Sequence, residues 1–142
     1  MDGSDNWAGL KKDQAYPIVA RQISEFDVRK LKFSPYEPRR LLSCGRENIR
    51  FWRIKRGLLR GMPVILNEYA RDTQFTDLAF ESSYAPKSFQ GSVQKRVFVS
   101  TKAGTVVQVN YETQDLECVY RLHDTAINSI AINEGFCVTG GA

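Results

Sequence analysis

The sequence predicts an all-β fold of short antiparallel strands, on three observations. Helical periodicity is poor: ten glycines and five prolines punctuate the 142 residues, and few windows sustain apolar positions at i, i+3, i+4 and i+7. Period-2 alternation is frequent, with Leu31 and Phe33 set against Lys30 and Lys32, and Val107, Val109 and Tyr111 against Gln108 and Asn110. The chain also repeats itself: LKFSP with RRLLSCG, LAFES with KRVFVST, and IAINEG with FCVTGG each pair an apolar-x-apolar strand with one ending in Ser or Thr.

Eleven alternating or β-branched runs follow in order along the chain. PIVARQI at 17–23 comes first, then RKLKF at 29–33, RLLSC at 40–44, NIRFWRI at 48–54 and PVILNEY at 63–69. FTDLAF at 75–80, RVFVST at 96–101, TVVQVNY at 105–111 and LECVYRL at 116–122 supply the middle of the chain. INSIAI at 127–132 and FCVT at 136–139 close it. Between 75–80 and 96–101 stands ESSYAPKSFQGSVQK, residues 81–95, whose Ser, Pro and Gly read as a mobile surface loop.

The first strands of the repeats begin at Leu31, Leu78 and Ile130, intervals of 47 and 52 residues. A four-stranded propeller blade takes about 40 to 45 residues, and the 81–95 loop accounts for one of the two excesses. Each apolar strand face needs a cover, because a buried Leu or Phe contributes roughly 1.5 to 3 kcal/mol by area. The expected organisation is an N-terminal segment 1–16, poorly ordered, followed by an incomplete propeller over 17–142. Its units run over about 24–70 and 71–122, with 123–142 truncated, about two and a half antiparallel four-stranded blades.

Charge is uneven. Residues 29–60 hold eleven Lys and Arg against Glu37 and Glu47, a local balance of +9, while the rest of the chain carries −5 of the net +4. Such a stretch suits an acidic surface or a nucleic-acid backbone, and on alternating strands it is also what a solvated face looks like. No aromatic RNA-binding motif, recognition helix or zinc finger accompanies it. Cys44, Cys118 and Cys137 lie 74 and 19 residues apart, which matches no metal-knuckle spacing. They read as buried or partly buried free thiols in a reducing compartment. No apolar run reaches the ~18 to 20 residues of a membrane span, and MDGSDNWAGLKKD lacks the basic and apolar regions of a leader. The chain is expected to be intracellular.

At RLLSCGRENIRFWRI, residues 40–54, and LHDTAINSIAINEGFCVTGG, residues 122–141, the sequence resembles the WD-repeat β-propeller family. Trp52 stands as in the family's Trp-Asp dipeptide, with Arg53 in place of the Asp, and His123 stands where the Gly-His dipeptide puts its His. Ser43 and Thr139 then take the hydroxyl positions of the second strand. In the family such residues form a hydrogen-bonded set pinning the loop before a blade to its third strand. The middle unit has neither the His nor the Trp, so the blades are divergent. The wording Cys-Gly-x-x-x-Ile-x-Phe-Trp is similar to microtubule-associated and ciliary members, the echinoderm microtubule-associated-protein-like group among them. LNEYARDTQFTDLAFE, KRVFVSTKAG and VYRLHDTAINSI resemble the large centriolar and ciliary members.

The resemblance implies a non-enzymatic scaffold of centriole or cilium basal body, within cytoplasm and cytoskeleton, contributing to microtubule-wall association and cilium assembly. Its implied partners are tubulin or microtubules, other centriolar or ciliary proteins, and the remaining blades of the same longer chain. Arg39, Arg40, Arg46, Arg50, Arg53, Lys55, Arg56 and Arg60 are the candidate partner-binding residues, because Arg pairs well with carboxylates and the tubulin surface is acidic. Two alternatives stand beside this one: a generic interaction propeller in another cytoplasmic complex, and an RNA-binding propeller. No catalytic, cofactor-binding or metal-ligating residue is assigned, and neither a small-molecule substrate nor a membrane is expected. One histidine supplies no acid–base constellation, no glycine loop precedes a Lys-Ser/Thr pair, and Ser43, Ser100 and Thr139 lack a base. Asp115 and Glu117, at i and i+2, read as a solvated edge. A propeller closes with 4 to 8 blades, so the chain is expected to need other blades beside it and to be aggregation-prone alone.

Overall fold

The computed structural model describes residues 20, 25–81, 95–133 and 136–141. Within them the chain forms three antiparallel sheets in sequence order. The first is β1 (Lys30–Phe33), β2 (Arg40–Gly45), β3 (Asn48–Lys55) and β4 (Leu58–Pro63), each strand bonded to the next. The second repeats that meander with β5 (Phe75–Phe80), β6 (Arg96–Thr101), β7 (Thr105–Asn110) and β8 (Leu116–Arg121). The third pairs β9 (Ile127–Asn133) with β10 (Phe136–Gly141). The expected strand at 17–23, the segment 1–16 and most of the 81–95 loop lie outside the described residues.

One strand falls elsewhere than expected. Residues 63–69 do not form the fourth strand of the first sheet; β4 occupies Leu58–Pro63, and a single 3-10 turn covers Asn67–Ala70. The cause is a two-residue hairpin at Arg56 and Gly57, both at positive φ (52° and 74°), which sends the chain straight back along β3. Gly61, which reads as a breaker, sits inside β4 because the Trp52 ring lies over it. A Cβ there would stand 2.7 Å from Trp52 Cζ3.

Burial follows position among the sheets more than alternation within a strand. Leu42, Cys44, Ile49 and Phe51 of the first sheet pack against Phe75, Leu78, Val97, Val99, Val107 and Val109 of the second. On the other side of the second sheet, Ala79 and Val106 meet Ile127 and Ile130 of the third. The middle sheet is thus covered on both faces, and Val106 through Val109 are all buried, Gln108 included. β1 behaves in the opposite way: Leu31 and Phe33 are 53% and 68% exposed on the uncovered face of the first sheet. The apolar positions of β1 therefore do not mark its covered side, as the alternation predicts. Lys32 points at the second sheet and ends 3.3 Å from Asp77. Phe136 and Val138 leave a second apolar face open on the third sheet. Cys44 is buried as expected, whereas Cys118, on the edge strand β8, and Cys137, on β10, are exposed.

Polar links stitch the three sheets together. A bulge between Phe75 and Asp77 turns the Thr76 hydroxyl outward, where it donates to the Ile127 carbonyl and meets Ser100 Oγ at 2.8 Å. Asp77 Oδ2 accepts from the Ile130 amide at 3.1 Å and Oδ1 from the Leu78 amide at 2.9 Å. At the other end of the sheets, Tyr36 in the β1–β2 loop sets its ring edge-on to Phe80 and Tyr111, with centroids 5.9 and 4.8 Å away, and donates to the Glu81 carbonyl.

Candidate functional site

The hydroxyl positions of the second strands are occupied in each sheet. Trp52 Nε1 on β3 donates to Ser43 Oγ on β2 at 2.8 Å, inside the first sheet. His123 Nε2, in the loop before β9, lies 2.7 Å from Thr139 Oγ1 on β10. Ser100 on β6, in the sheet without His or Trp, bonds Thr76 instead. These contacts tie loops and strands together: indole to serine in the first sheet, threonine to serine in the second, imidazole to threonine in the third. Among the described residues no group of three His, Cys, Asp or Glu converges as a metal site would require. Glu117 lies within the second sheet, 3.7 Å from Arg96 and bonded to the Gln108 amide, while Asp115 precedes β8 in the turn.

The eight candidate basic residues divide three ways. Arg40, Arg53 and Arg60 stand directly opposite one another across β2, β3 and β4. Lys55 and Arg56 lie in the β3–β4 hairpin at the same end, and Arg39, at φ 61°, closes the β1–β2 loop beside them through its carbonyl bond to the Ile54 amide at 2.9 Å. Arg46 lies at the opposite end, in the β2–β3 turn, bridged to Gln74. Arg50 projects from the other face of β3, its guanidinium 3.6 Å from the centroid of the Phe26 ring. The structure thus brings together six of the eight and separates Arg46 and Arg50.

Like charges directly across a sheet are destabilising, with side chains about 4.5 to 5.5 Å apart at Cβ. Arg40 is partly compensated by Glu37 at 3.1 Å, whereas Arg53 and Arg60 are exposed. A hollow of about 250 Å³ opens beside the row, lined by these three arginines with Met62 and Gln114. The arrangement sets planar guanidinium groups side by side at strand spacing, the geometry in which Arg pairs with carboxylates.

The sequence reading missed Asp77 and Lys32, which join all three sheets. A lone carboxylate inside FTDLAF was the available signal, since an acidic residue in a buried strand requires partners.

No family model matches the chain. It is 33% identical to centriole proteome protein 16 of Chlamydomonas reinhardtii, over 87% of this chain. Against WD repeat-containing protein 90 it is 29% identical for the Xenopus tropicalis protein and 26% for the Homo sapiens protein, each again over 87% of this chain. The chain spans only 6 to 8% of the length of these relatives. With successive four-stranded meanders packed face to face, this homology makes the fold a partial WD-repeat β-propeller.

Proposed function

We propose, from a chain homologous to proteins named for the centriole and for WD repeats, that its blades serve as a non-enzymatic centriolar scaffold docking on the microtubule wall. Arg39, Arg40, Arg53, Lys55, Arg56 and Arg60 make the contact, while Arg46 and Arg50 are not part of it. The observation that carries this reading is the cross-strand arginine row, which gathers charge at one end of one sheet with Glu37 paired to Arg40. The tubulin surface is acidic, and each Lys or Arg meeting a carboxylate there gains with decreasing salt. Support of cilium assembly follows from such anchorage.

The test is co-sedimentation of the full-length protein with microtubules, comparing wild type with the triple variant Arg53→Glu, Arg56→Glu, Arg60→Glu. The variant should bind at least about tenfold more weakly, and its binding should respond less to added salt. Unchanged pelleting removes the arginine row from the interface. A tagged wild-type protein that stays diffuse in the cytosol removes the centriolar scaffold itself.

A further inference from the structure

We propose that a recess at the opposite end of the sheets, where β1, β5 and β9 begin, binds an oxyanion presented by a polypeptide partner, with a glutamate or aspartate side chain as its ligand. The recess measures about 240 Å³ and is lined by Arg29, Lys30, Gln74, Phe75, Thr76, Lys102 and Asn128. These residues come from the start of each sheet and from the β6–β7 turn, so packing of the three sheets alone assembles them. Among the described residues its lining holds three cations, two amides and a hydroxyl, and no carboxylate.

The cations of the recess differ in how they are neutralised. Arg29 Nε lies 2.9 Å from Asp27 Oδ2, so its charge is answered at the rim. Lys32, two residues along the same face of β1, is committed to Asp77 and to the Leu78 carbonyl. Lys30 and Lys102 are exposed and make no ion pair or side-chain hydrogen bond among the described residues. Two like charges lining one small recess repel each other, and an oxyanion bound there offsets that repulsion. The amides of Gln74 and Asn128 supply neutral donors beside the two charges, whereas the Thr76 hydroxyl is already spent on Ile127 and Ser100.

Charge selects the ligand class. The recess opens to solvent, has room for a carboxylate side chain at about 240 Å³, and is lined by Arg29, Lys30 and Lys102, which favour a negatively charged segment of a partner. A partner entering here reaches the end of the molecule away from the arginine row, and both surfaces can be engaged at once.

The experiment is fluorescence anisotropy of a labelled glutamate-rich peptide titrated with the full-length protein. A phosphoserine peptide and an uncharged glutamine peptide serve as the other arms. Lys30→Glu with Lys102→Glu should weaken binding of the glutamate peptide at least about tenfold, because a single charge-assisted hydrogen bond is worth about that factor. The pair Lys30→Gln with Lys102→Gln should weaken it less, and it carries the test if the reversal disturbs folding. Binding of the phosphoserine peptide alone, abolished in the same variants, assigns the oxyanion to a phosphoryl group in place of a carboxylate. The proposal is overturned if no charged peptide binds, if the lysine variants bind like wild type, or if only Arg53→Glu with Arg60→Glu abolishes binding.

Discussion

Replacing Asp77 with Ala should loosen the third sheet from the second far more than any surface change. The side chain is 7% exposed and accepts from the Leu78 amide at 2.9 Å and the Ile130 amide at 3.1 Å. Truncation leaves two buried N–H groups without acceptors, at about 1 to 3 kcal/mol each. Lys32 adds little, since its side chain is 41% exposed and its ammonium keeps the Leu78 carbonyl at 2.7 Å. The expected loss is about 3 to 5 kcal/mol, against a typical domain stability of about 5 to 15. Asp77→Asn retains one acceptor oxygen but turns an amino group toward a donor, so about half of the loss should persist. Hydrogen exchange of peptides covering β9, measured by mass spectrometry on the full-length protein, reads the effect locally. A loss of that size accelerates exchange on the order of a hundredfold to several thousandfold. A change below about threefold would mean that apolar packing of Ile127 and Ile130 alone holds the sheets together.

Gly61→Ala drives a methyl group against the Trp52 ring and should cost about 1 to 3 kcal/mol. Hydrogen exchange of peptides covering β3 and β4 in the full-length protein should quicken by about fivefold or more; unchanged exchange contradicts the packing described. The Cys44 thiol is pushed by burial from its usual 9.0 to about 12. The folded chain thus holds a proton that the unfolded chain releases, and stability should fall as pH rises from about 9 toward 12. Tyr36, pushed to about 12 by burial and then by the charge of Glu81, adds to the decline above its usual 10.0. Urea midpoints across that range should fall less steeply for Cys44→Ala and for Tyr36→Phe, and parallel slopes would refute the assignment. In a thiol-labelling time course at pH 8, Cys118 should react in the native state while Cys44 waits for unfolding. Equal native rates would show that the first interface is open.

The strands were largely legible because their alternation and their turns are local signals. The segment RGLLRGMP hid β4, since its two glycines and two arginines read as a turn. Their reasons are not local: Gly57 serves the tight hairpin, and Gly61 leaves room for a ring nine positions earlier. The basic run was visible as composition, but only cross-strand register separates Arg40, Arg53 and Arg60 from Arg50 and Arg46. The recess at Lys30 and Lys102 was invisible, because those lysines stand 72 positions apart and meet only through packing of successive sheets.

From the sequence alone came the all-β class, the repeat and its period, and the likeness to WD-repeat propellers, all carried by residues near one another in the chain. Tertiary structure decided which face of each strand is covered, which cations are answered by a carboxylate, and where a lone buried aspartate finds its donors. A strand's pattern records only that its faces differ. Which face meets a neighbour depends on sheets whose positions no short stretch of sequence encodes, and charge neutralisation depends on distances set by that packing.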